Sequence, residues 1–157
     1  MRQASFQDRP PSSRLARDMM PRHLRASHDA PGPEDATMAP MPRTILIVDD
    51  HATFRRAARA LLQAEGFDVV GEAADGRSAL AEADRLRPGI VLLDIQLPDI
   101  DGFVVAAALD RRDDPPVVVL ISSRDEASYA PQLATARVAG FLSKSRLTGV
   151  ALRALTE

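Results

Sequence analysis

The sequence predicts an α/β protein: a doubly wound sheet of five parallel strands, built as five βα repeats with helices on both faces. Two observations carry this. From Thr44 onward, short apolar runs alternate with segments of helical period, and that order implies right-handed crossovers between neighbouring parallel strands. Several of the runs, such as IVLL at 90–93 and VVVLI at 117–121, hold no polar residue, which suits strands covered on both faces.

Taken in order, Thr44 to Val48 reads as the first strand. Phe54, Ala58, Leu61 and Leu62 then repeat at helical spacing, and Gly66 ends that helix. Asp68 to Ala73 is the second strand, and Asp75 is placed as N-cap of a helix over Arg77 to Leu86 that Pro88 terminates. Ile90 to Leu93 is the third strand, followed by a helix over Gly102 to Leu109. After the fourth strand, Val117 to Ile121, a helix is expected over Gln132 to Val138 with Pro131 near its first position. Gly140 to Leu142 gives a short fifth strand, and Leu147, Val150, Ala151 and Ala154 give a last amphipathic helix.

Residues 1–42 have a different texture. They hold seven of the twelve prolines, six arginines and five acids, with no apolar periodicity. Such a segment buries too little surface to offset its ordering entropy, so it is expected to be a disordered N-terminal extension to a domain at 43–157. The chain carries 20 basic and 22 acidic residues, a balance that predicts no direct DNA binding. It has no cysteine, which excludes disulfides and thiolate chemistry. No apolar run approaches the roughly 18 residues of a membrane span, and a cytoplasmic protein is expected.

Chemistry is expected beyond the carboxyl ends of the strands, where open parallel sheets bind ligands. The first strand ends in Asp49-Asp50, the third in Asp94 and the fourth in Ser122-Ser123, and Lys144 follows the fifth. Three converging carboxylates repel one another and call for a cation. Hard oxygen ligands with positions left for water suit Mg²⁺. A carboxylate beside a metal, an ammonium and a hydroxyl is equipped to handle a phosphoryl group. Lys144 is also the only lysine in a chain that otherwise uses arginine, and a compact ammonium on a flexible stem differs from a planar fork.

With ILIVDDH at 45–51, VLLDIQLPDIDGF at 91–103, VVLISS at 118–123 and GFLSKSRL at 140–147 in that order, the chain resembles the receiver domain of two-component response regulators. The resemblance runs from Arg43 to about Leu155. It implies the flavodoxin-like strand order 2-1-3-4-5, for which a receiver is one of the standard examples. It further implies that Asp94 is the phosphoacceptor, Asp50 a direct Mg²⁺ ligand, Asp49 a support through water, and the Gln96 backbone carbonyl a further ligand. Ser122 becomes the switch hydroxyl, Lys144 the ammonium on the acyl phosphate, and Phe141 the switch aromatic. Pro98 and Gly102 shape the loop after the acceptor.

The implied function is that of a single-domain phosphorelay protein, without turnover of external substrates. It would receive its phosphoryl group from a sensor histidine kinase or a histidine phosphotransfer protein. No further domain pattern follows the fifth helix, so output is expected to pass through a downstream protein. Two rivals remain: a small Mg²⁺-dependent aspartyl-phosphate phosphohydrolase, and a binding-only module that is never phosphorylated. The hydrolase pattern wants a second Asp two residues after the nucleophile, where this chain has Gln96. His51 is read as structural or solvent-facing in the first turn of a helix, and Tyr129 has no role assigned.

Overall fold

The computed structural model describes residues 43–157; the extension assigned to residues 1–42 lies outside them. The elements are β1 (Thr44–Val48), α1 (Ala52–Ala64), β2 (Asp68–Ala73), α2 (Gly76–Leu86), β3 (Ile90–Asp94), α3 (Gly102–Asp110), β4 (Val117–Ser122), α4 (Ala130–Thr135), β5 (Gly140–Ser143) and α5 (Gly149–Thr156). Short 3₁₀ turns at Glu126–Tyr129 and Lys144–Arg146 precede α4 and α5. All neighbouring strands pair in parallel, in the order β2-β1-β3-β4-β5.

Because successive side chains of a strand point to opposite faces, each central strand feeds two cores. Leu46, Val48, Val91, Leu93, Val118 and Leu120 pack under α2 and α3 with Ala79, Ala83, Val105 and Leu109. Ile45, Ile47, Ile90, Leu92, Val119 and Ile121 pack under α1 and α5 with Ala58, Leu62 and Leu152. The unbroken apolar runs therefore have the physical cause expected of them. Among the described residues, no helix is long and apolar enough to cross a membrane.

Local signals place several boundaries. Asp75 caps α2, its carboxylate accepting from Ser78 N at 2.7 Å, and Gly66 takes the left-handed turn after α1 with φ +92°. Two expectations need correction. The fourth helix runs over Ala130–Thr135 and not Gln132 to Val138, because the preceding 3₁₀ turn starts it earlier and Ala136 is already extended at ψ 137°. The last helix starts after Leu147, and its inward face is Leu152 and Leu155, while Val150 is 74% exposed. The 3₁₀ turn after β5 shifted the phase, so the periodicity assigned to Val150 and Ala154 belonged to the outer face.

Candidate functional site

β1 and β3 are neighbours in the sheet, so the residues that end them are brought side by side. Asp49 and Asp94 are both buried, and Asp50 is exposed. Lys144, in the turn after β5, reaches between the buried pair: its Nζ lies 2.6 Å from Asp49 Oδ2 and 3.1 Å from Asp94 Oδ2. The same ammonium stands 4.9 Å from the centre of the Phe54 ring of α1, a favourable cation–π placement. Asp94 Oδ1 accepts from Gln96 N at 3.1 Å. The structure thus brings together Asp49, Asp50, Asp94 and Lys144, with Gln96 adjoining through its backbone.

Burial drives the Asp94 carboxyl above the ordinary aspartate range, the Asp49 charge adding to it, while Gln96 N–H and Lys144 pull the other way. For Lys144, burial works to lower the pKa, but its contacts with Asp49 and Asp94 outweigh that and hold the ammonium above its usual value.

His51 faces solvent as expected, its side chain 69% exposed, but it stands one residue before the helix and not in its first turn. Its ring turns back onto the acids, Nδ1 lying 3.2 Å from Asp49 Oδ1 and 3.0 Å from Asp50 Oδ1. Donor atoms of Asp49, Asp50, His51 and Asp94 fall within 4.8 Å of one another. One ammonium against three carboxylates leaves negative charge uncompensated. Asp49 Oδ2 is buried, and the partner it meets among the described residues is the Lys144 ammonium at 2.6 Å. A buried carboxylate amid excess negative charge fits a divalent cation. The cluster can hold one.

Supporting residues escaped the sequence reading. Arg55 donates to the Asp49 carbonyl and pairs with Glu72 at 3.3 Å, tying α1 to β2 behind the acid pair. Asp99, in the loop after β3, accepts from Gly76 N at 2.7 Å and Arg77 N at 3.0 Å, so it clamps that loop onto the start of α2. These hydrogen bonds, that of Gly76 foremost, hold the Asp99 carboxyl below its ordinary range. Such caps act between segments distant in sequence, so no local pattern announces them.

Gly102 is singled out by close approach. A Cβ there would strike the Asp94 carbonyl oxygen and sit 2.6 Å from Ile95 Cα, while Gly102 N donates to Ile95 O at 2.8 Å. Backbone cannot yield as a flexible side chain can. Gly102→Ala is expected to cost about 1–3 kcal/mol of stability, as overpacking does, and to displace the turn beside Asp94. Urea unfolding checks the first effect; a midpoint equal to that of the parent protein would refute it.

Ser122 ends β4 fully buried, but its hydroxyl engages elsewhere: Oγ shares a hydrogen bond with the Tyr129 hydroxyl at 3.0 Å and accepts from Arg124 N at 3.1 Å. Phe141, half-buried on β5, packs its ring against Tyr129 at 6.1 Å between centroids.

A family model described as the response regulator receiver domain matches residues 45–154. The chain is similar to the positive alginate biosynthesis regulatory protein of Pseudomonas aeruginosa, with 41% identity over 102 residues, 64% of this chain and 40% of that protein. It is also similar to the transcriptional regulatory protein PdtaR of Mycobacterium tuberculosis, with 36% identity over 96 residues, 60% of this chain and 47% of that protein. The chain thus spans less than half the length of these curated relatives. Among solved structures, the receiver domain of NarL from Mycobacterium tuberculosis superposes with TM-score 0.66 at 36% identity, covering 74% of this chain and 98% of that one. The receiver domain of AraT from Geobacillus stearothermophilus gives TM-score 0.62 at 29% identity, covering 74% and 91%. A sheet in the order 2-1-3-4-5 with an acid cluster at its carboxyl edge, and a family match over that whole sheet, lead to one conclusion: the chain belongs to the response regulator receiver domain family, phosphoacceptor switches rather than turnover enzymes.

Proposed function

We propose that Asp94 accepts the phosphoryl group, from a sensor histidine kinase or a histidine phosphotransfer protein, and that the cation is Mg²⁺. The observation that supports this best is the position of Asp94: buried at the end of an apolar strand, 3.1 Å from the only lysine of the chain. Asp50, Asp94 and the Gln96 carbonyl would hold the metal, with Asp49 supporting it through water. When bound, Mg²⁺ supplies charge neutralisation for the carboxylates and for the phosphoryl oxygens.

The protein's own groups do the rest. A carboxylate oxygen of Asp94 attacks phosphorus, the P–N bond of the donor phosphohistidine breaks, and its electron pair returns to the imidazole. The new P–O bond makes an aspartyl phosphate. The Lys144 ammonium, already beside Asp94, compensates charge on a phosphoryl oxygen, so catalysis consists of positioning and preorganised charge. Attack by water on phosphorus later restores the carboxylate and releases phosphate. Signalling then passes to a downstream protein, without direct DNA contact by residues 43–157, whose 14 basic and 17 acidic residues leave them net acidic. A cytoplasmic place of action belongs to the same proposal.

Incubation with acetyl phosphate and Mg²⁺, followed by intact mass, tests the assignment. A single added phosphoryl group is expected. No addition would favour a binding-only module, and free phosphate released from supplied phosphate esters would favour a hydrolase. Asp50→Ala is expected to weaken Mg²⁺ by more than the roughly 10- to 100-fold that loss of an outer-shell partner costs, because it removes a direct oxygen ligand. Calorimetry reads this, and undiminished affinity would count against the proposed ligand set.

A further inference from the structure

Tyr129 is 7% exposed at the end of the 3₁₀ turn that leads into α4. Its ring stands 6.1 Å from that of Phe103 on α3 and 6.1 Å from that of Phe141 on β5, and its hydroxyl shares the 3.0 Å hydrogen bond with Ser122. Tyr129 is the only tyrosine of the chain, and Phe141 carries no hydroxyl. The polar tip that meets the strand-end serine therefore comes from the β4–α4 connection.

We propose that Tyr129 is the positioning residue of the switch: its hydroxyl holds Ser122 in the unphosphorylated protein, and phosphorylation frees it to move outward, carrying the start of α4. This rests on phosphorylation at Asp94. A phosphoryl oxygen competes for the Ser122 hydroxyl with a charge-assisted hydrogen bond, stronger than the neutral one to tyrosine. When Ser122 leaves, the Tyr129 hydroxyl is buried without its partner, a costly state that rotation towards water relieves. The ring then vacates the space between Phe103 and Phe141, and Phe141 can follow into it. Because Ala130 begins α4 directly after Tyr129, the helix start is coupled to the ring by a single peptide unit. One neutral hydrogen bond corresponds to a factor of about 2 to 10 in a two-state population, enough to bias a surface that a partner prefers.

The test uses the full chain grown with 3-fluorotyrosine, in which Tyr129 gives a single ¹⁹F resonance. Acetyl phosphate and Mg²⁺ are added, and intact mass is followed alongside. The resonance is expected to move, and to become accessible to a soluble paramagnetic probe, in step with the phosphoryl mass. In Ser122→Ala it should take up the shifted position without phosphorylation. Tyr129→Phe should label about 2- to 10-fold faster, yet show smaller amide shifts over 126–135 on phosphorylation. A merely structural tyrosine would not produce that split. A fixed ¹⁹F signal in protein whose mass shows phosphorylation, or full amide shifts in Tyr129→Phe, overturns the proposal and leaves Asp94 as acceptor. Absence of any mass gain overturns the acceptor assignment itself, and this inference with it.

Discussion

Asp94→Asn protein is expected to fold normally and to gain no phosphoryl group from acetyl phosphate or a kinase. The substitution keeps shape: the amide oxygen can still accept from Gln96 N, and the strand pairing of residue 94 with Ile121 involves only backbone. Lys144 keeps its 2.6 Å contact with Asp49, so no buried ammonium is stranded. What disappears is the nucleophile, because a neutral amide has no carboxylate oxygen to offer phosphorus. One of three mutually repelling carboxylates is also removed. In chelator, without divalent cation, the variant is therefore expected to melt above the parent protein. Intact mass and thermal denaturation read the two effects. Phosphoryl incorporation equal to that of the parent would refute the assignment of Asp94.

Lys144→Arg is expected to slow phosphoryl transfer by roughly 10² to 10³, the usual loss for one preorganised charge donor. The conservative label hides a difference of shape. Lys144 passes a compact ammonium between Asp49 and Asp94 with the Phe54 ring beside it. A guanidinium is planar and wider, and prefers a bidentate grip on a single carboxylate. It would take Asp49 or Asp94 and present its edge where a phosphoryl oxygen must sit. Stopped-flow transfer from a phosphorylated kinase measures the rate; an unchanged rate would show that net charge alone matters at this position.

The legibility of this chain varied with the range of the interactions involved. The sequence places β1, β3 and β4 within a residue of their ends, since an apolar strand covered on both faces has a signature in its own few residues. Asp75 and Gly66 were found because caps and left-handed turns are chemistry of adjacent residues. α4 and α5 were misplaced where short 3₁₀ turns precede them. Such turns shift the phase of the next helix without altering its composition. The exposure of His51 is legible in the sequence, but the contact of its ring with the two carboxylates at the end of β1 is not.

By itself the sequence determined the alternation of strands and helices, the acids and the single lysine at strand ends, and through them the family resemblance. Tertiary structure alone decided which side chains meet. Strand order set Asp49 beside Asp94, and the turn after β5 carried Lys144 between them. Asp99 capped a helix more than twenty positions before it, and Tyr129 took the hydroxyl of Ser122. Periodicity and capping are written in neighbouring residues, while a hydrogen bond between distant segments depends on the sheet that brings them within reach.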